Sequence, residues 1–225
     1  MTVGLSPFVG VTGQKKTIAE VGRPVVWLLS TLRSLSSAGG LQGFQNLLVL
    51  IGANDLGGGR TPEAIAADTL AIWALARSQG LRVFAMTLPP NKGYAGFPPA
   101  NFPAVNGRRK AINALLGQAF VQGRCDGLID LSTLLADPQD PDKLAASFDS
   151  GDHLHPRKDA LGALLTRALS GLPAPSPSNS PFPSPSSLQP LATGATSSPL
   201  ATVMVVGGLA IAAYMLTRKH RFWLA

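Results

Sequence analysis

The sequence predicts an α/β fold, a three-layer α/β/α sandwich around a parallel sheet. Segments 46–51 (NLLVLI), 82–88 (RVFAMTL) and 127–131 (GLIDL) are short, mostly apolar runs of strand length. Segments with helical start and stop signals alternate with them. Continuous apolar strands suit a sheet covered on both faces, and strand–helix alternation suits a parallel, doubly wound sheet.

Each element has its own signal. Residues 17–21 read as a strand that stops at Gly22, and 25–35 as a helix. The run 46–51 ends at Gly52. Residues 61–79 read as a helix, with Pro62 near the start and Gly80 just past the end. The strand 82–88 is stopped by Pro89-Pro90. The segment 91–102 (NKGYAGFPPANF) is rich in Gly, Pro and aromatics, and serves either to shape a pocket or as a plain surface loop. Residues 108–122 have helical periodicity, and 156–170 read as a final helix closed by Gly171.

The chain divides into zones at residue 171. The domain is expected over 1–171. Residues 172–198 are dominated by Pro, Ser, Ala and Thr and lack the apolar content that offsets ordering entropy. They read as a semi-stiff linker that spans roughly 80 Å when fully extended. Residues 199–217 are expected to form a transmembrane helix, because 200–216 (LATVMVVGGLAIAAYML) is an unbroken apolar or weakly polar run. As a helix it is about 25 Å long, at the short end for a bilayer. The tail 218–225 begins with Arg218-Lys219-His220-Arg221, then Phe222 and Trp223, as a membrane boundary requires. The positive-inside bias puts this tail in the cytoplasm and the domain outside. Residues 1–13 show no charged segment ahead of an apolar core, so the alternative is a cytosolic domain anchored by its tail.

Composition excludes some functions. Apolar residues make up 45% and charged residues 14%, which is not the balance of a disordered chain. The net charge is +7, but the basic residues are mostly scattered, with tight runs only at 108–110 and 218–221. They do not interleave with aromatics, so no nucleic-acid partner is expected. The lone Cys125 cannot form an internal disulfide.

Two clusters can carry chemistry. In Gly52-Ala53-Asn54-Asp55, the glycine permits a sharp turn after a strand, and the Asn54 amide can donate to a developing oxyanion. In Asp152-His153-Leu154-His155-Pro156, a carboxylate precedes a histidine by three residues, the spacing of a base with its orienting acid. Taken alone, the first is equally a turn or helix cap, and the second a loop or a metal site. The only further histidine is His220, so no metal is expected.

Together the clusters resemble the SGNH, or GDSL-type, esterase family over roughly residues 1–171. Gly52–Asp55 matches its Gly-x-Asn-Asp block and Asp152–His155 its Asp-x-x-His block, with Pro156 following. Gly22 falls where its second-block glycine is expected, and Thr87-Leu88-Pro89-Pro90 resembles its strand-end segment. The resemblance implies a flavodoxin-like sandwich and ester hydrolysis without a cofactor. It makes His155 the base, Asp152 its orienting acid, and Gly22 and Asn54 oxyanion donors, with Gly52 shaping the turn. The implied substrates are esters of carbohydrate, peptidoglycan or lipid.

The family's nucleophilic serine lies in a Gly-Asp-Ser block, which is absent from the 225 residues. The chain opens Met1-Thr2-Val3-Gly4-Leu5, which resembles the family's residues just after that serine. The expectation is therefore that the serine and its strand precede Met1, leaving the sheet without its first strand. The alternative is a membrane-tethered binding module without catalysis.

Overall fold

A computed structural model describes residues 15–170 and 203–207. The elements in chain order are β1 (Lys15–Ile18), α1 (Val25–Ser37), β2 (Asn46–Leu50), α2 (Pro62–Ser78), β3 (Arg82–Met86), α3 (Phe102–Val121), β4 (Gly127–Ile129), α4 (Leu131–Leu134), α5 (Lys158–Ser170) and β5 (Val203–Gly207). A 3-10 turn, Ala53–Asp55, follows β2. The strands form one sheet in the order β1-β5-β2-β3-β4, parallel throughout.

The expected strands form where the apolar runs lie. All five residues of β2 are buried, as are Val83 to Met86 of β3, because helices cover the sheet. Leu28 and Leu32 of α1, Ile65 and Trp73 of α2, and Ile112 and Leu116 of α3 are fully buried in one core with the strands. Helix α1 packs on α2, and α2 on α3. Helix α2 starts as the sequence predicts: Thr61 Oγ1 accepts the Ala64 N–H at 3.2 Å and Pro62 opens the first turn. Such a cap contributes about 1 kcal/mol.

Strand β1 covers Lys15–Ile18 instead of 17–21, and three further expectations change. Helix α3 begins at Phe102 instead of near 108, since Pro103 sits in its first turn, where a missing N–H costs nothing. Helix α5 begins at Lys158, two residues after Pro156, and the motif 152–155 lies in the loop ahead of it. The third concerns the tail. Residues 203–207, expected inside a transmembrane helix over 199–217, form β5 between β1 and β2. Strand β5 therefore takes an interior place in the sheet, paired on both sides. No helix among the described residues is long and apolar enough to cross a membrane. The rest of that expected span, the linker 172–198 and the tail 218–225 lie outside the described residues.

Candidate active site

The carboxyl ends of β1 and β2 carry one half of the site. Gly22 follows β1 with φ +75°, and Gly52 follows β2 with φ +112°. A Cβ at Gly52 would meet nothing closer than 3.5 Å, so backbone conformation, not space, asks for glycine there. The turn that follows is tied to the Gly22 turn by two side chains. Asn54 Nδ2 donates to the Arg23 carbonyl at 2.9 Å. Asp55 Oδ2 accepts the Val25 N–H at 3.0 Å, capping α1 from a distant part of the chain. Arg60 pairs with the other Asp55 oxygen at 3.1 Å. Burial pushes the Asp55 carboxyl above its ordinary value, although Val25 and Arg60 oppose the shift.

The other half is the loop before α5. Asp152 Oδ1 accepts the backbone N–H of Leu154 at 3.0 Å and of His155 at 2.8 Å, and the Ser150 hydroxyl at 3.1 Å. Its second oxygen, Oδ2, bonds Nδ1 of His155. Spacing of three therefore serves two purposes: the carboxylate folds the loop and orients the ring. A ring that donates its Nδ1–H to the Asp152 carboxylate in a hydrogen bond carries its lone pair on Nε2. Burial favours protonation of Asp152, but the bonds from the His155 ring and the two backbone N–H groups outweigh it and hold the carboxyl below its ordinary value. The His155 ring is buried.

The second histidine has its own acid. His153 Nδ1 lies 2.5 Å from Asp149 Oδ2, and Asp149 Oδ1 accepts the N–H of Gly151 and of His153. His153 is the one non-glycine residue with positive φ (62°) among the described residues. Each histidine thus has one carboxylate, and no group of three or more metal-ligating side chains comes together among the described residues.

The loop 91–102 joins the two halves, so it does more than cover the surface. A Cβ at Gly57, just past the Asn54 turn, would lie 3.5 Å from the Phe97 ring. Phe97 meets Tyr94 edge to face, with ring centroids 5.2 Å apart. A Cβ at Gly93 would lie 3.1 Å from the His153 ring. Contacts along this loop therefore run from the turn after Asn54 to His153.

Arg109 anchors the start of this loop through Asp142. Its buried guanidinium donates to Ser132 Oγ at 2.9 Å and pairs with Asp142 at 3.1 Å, while the Asp142 carbonyl accepts the Lys92 N–H at 2.9 Å. Burial lowers the Arg109 pKa, against the pull of Asp142. In sequence, Arg109 reads only as the middle of a basic run; helical spacing from Val105 and Ile112 is the signal that turns it inward.

The sequence pattern of the GDSL-like Lipase/Acylhydrolase family matches residues 9–160, more than half of the chain. The chain belongs to this family. No curated protein matches the chain. Among solved structures it is similar to a GDSL-like lipase from Bacteroides thetaiotaomicron VPI-5482, with TM-score 0.54 and 14% identity over 66% of this chain and 72% of that one. It also resembles the psychrotrophic esterase EstA from Pseudoalteromonas sp., with TM-score 0.45 and 17% identity over 67% and 71% of the two chains. For a GDSL-like protein, the family blocks expected at Gly52–Asp55 and Asp152–His155 stand here on two rigid turns linked by one loop.

Proposed function

We propose that this GDSL-like chain works as an esterase of the Ser-His-Asp type, with a serine contributed from outside the described residues. The observation that carries the reading is the bond between Asp152 Oδ2 and His155 Nδ1, which orients the ring as a base. The serine Oγ attacks the ester carbonyl carbon, and its proton passes to His155 Nε2. Asp152 stabilises the imidazolium. The oxyanion is received by the Gly22 N–H and the Asn54 amide, both on turns that the Asn54–Arg23 bond holds together. Collapse of the intermediate breaks the ester C–O bond, and the alcohol leaves with the proton from His155. Water, deprotonated by His155, then attacks the acyl-serine and releases the acid.

The substrate class is an acyl ester of a carbohydrate, of peptidoglycan or of a lipid. The aromatic pair Tyr94 and Phe97 on the loop 91–102 supports an acceptor with apolar or ring faces. A second reading, a binding module without catalysis, is favoured by the absence of Gly-Asp-Ser from the sequence.

A fluorophosphonate probe with mapping of the labelled residue tests the choice. Labelling of one serine, lost in His155→Ala together with p-nitrophenyl acetate hydrolysis, supports the esterase. No label, and equal background hydrolysis by both proteins, favours the binding module.

A further inference from the structure

Strand β5 is the one strand in the sheet that comes from outside the continuous stretch 15–170. It enters between β1 and β2 and pairs with both. Lys15 to Ile18 lie opposite Val203 to Val206, and Asn46 to Leu50 lie opposite Val203 to Gly207. Among the described strands β1 pairs with β5 alone. Removal of β5 takes away that ladder and leaves β2, buried along its whole length, with an unpaired apolar edge.

The same five residues belong to the apolar run 200–216, which Arg218, Lys219 and Arg221 follow within five positions. As a helix that run is long enough to enter a bilayer, and the basic cluster suits anionic headgroups. A residue cannot sit in the sheet and in hydrocarbon at once. We propose that Val203–Gly207 have two mutually exclusive homes, the slot between β1 and β2 and, together with the rest of the apolar run 200–216, an anionic lipid bilayer, so that membrane insertion empties the slot.

The exchange acts on the active site through geometry. Strand β1 leads to Gly22 and β2 leads to Gly52 and Asn54, and β5 lies between them. Gly207 is level with Leu50, two residues before Gly52. Strand β5 therefore ends between the strands that lead to the two proposed oxyanion turns. Under the esterase reading, a strand ending in serine needs the same slot, and insertion of the tail into lipid is what vacates it. The exchange itself does not depend on that reading.

The test uses the full chain and no activity measurement. Leu48 and Val205 are register partners, so the double variant Leu48→Cys/Val205→Cys places two thiols at disulfide distance when β5 is docked. The variant is expected to oxidise, to stay in solution with phosphatidylcholine/phosphatidylglycerol vesicles while oxidised, and to sediment with them after reduction. Hydrogen exchange of the wild-type chain is the second measurement. On adding vesicles, amides of β1 and β2 are expected to exchange roughly tenfold faster or more, while β3 and β4 do not change. Failure of the two cysteines to oxidise, equal sedimentation of the oxidised and reduced forms, or vesicle binding with unchanged β1 and β2 exchange would each overturn the proposal. So would the absence of vesicle binding in the reduced form. Loss of esterase activity in the fluorophosphonate experiment leaves all of these readouts intact, so the two ideas fail separately.

Discussion

Asp55 Oδ2 accepts the backbone N–H of Val25 at 3.0 Å, which makes a residue of the Gly-x-Asn-Asp turn the cap of the helix that follows Gly22. The turn and the helix are thirty residues apart in sequence. The bond fixes the turn at Gly52–Asp55 against the start of the helix after Gly22, and it explains why a carboxylate stands beside Asn54.

Asp55→Ala should cost about 2–4 kcal/mol, because it strips the α1 cap and leaves Arg60 without its buried partner. Asp55→Asn should cost less. It keeps an acceptor for Val25 and removes the burial penalty that raises the Asp55 pKa. A raised pKa means that the folded state disfavours the carboxylate, so ionised Asp55 subtracts from stability at neutral pH. Urea denaturation of the two variants checks the order; a larger loss in the Asn variant would refute the account.

Asp152 has the opposite sign. Its folded-state pKa lies below the ordinary value, so its contribution is complete above the unfolded value near about 3.9 and fades as pH falls through the folded value. Below about pH 4 the wild type should therefore lose stability faster than Asp152→Asn. Denaturation midpoints measured from about pH 6 down to about pH 3, a range that brackets the unfolded carboxylate, check this. Parallel curves would sink the assignment. Under the proposed esterase reading the same variant should lower kcat by about three to four orders of magnitude, since the ring loses its orienting carboxylate.

His153 holds a left-handed backbone conformation that glycine adopts without strain. His153→Gly and His153→Ala both remove the imidazole and its bond to Asp149. They differ only in backbone preference, so the glycine variant should be more stable than the alanine variant by about 1–2 kcal/mol. Thermal unfolding of the pair decides it; equal stability would mean that the turn relaxes.

Cys125 is buried, and burial pushes its thiol up to about 11. At about pH 8 the native thiolate population should be about a hundredfold below that of an ordinary thiol. A disulfide reagent should react slowly with native protein and at once in denaturant. Rapid native labelling would show that the β3–β4 edge opens readily.

The sheet was largely legible in the sequence. NLLVL, RVFAM and GLI became β2, β3 and β4 because apolar runs of strand length between helical stretches can satisfy their backbone only in a covered parallel sheet. Asp152 and His155 were legible as a pair because three residues of separation suffice for one carboxylate to bond both the backbone and the ring. The roles of Asp55 and Arg109 were not legible. Their partners, Val25, Ser132 and Asp142, are distant in sequence, and charge at those positions reads equally as solvated surface.

By itself, then, the sequence determined the α/β alternation, the two motif turns and the type of chemistry they suit, because those depend on local pattern and short spacing. Tertiary structure alone decided where Val203–Gly207 lies. Hydropathy describes an apolar run equally well as a bilayer helix or a buried strand, since both remove the same side chains from water. Only the fold shows that a slot between β1 and β2 offers this segment backbone partners on both sides.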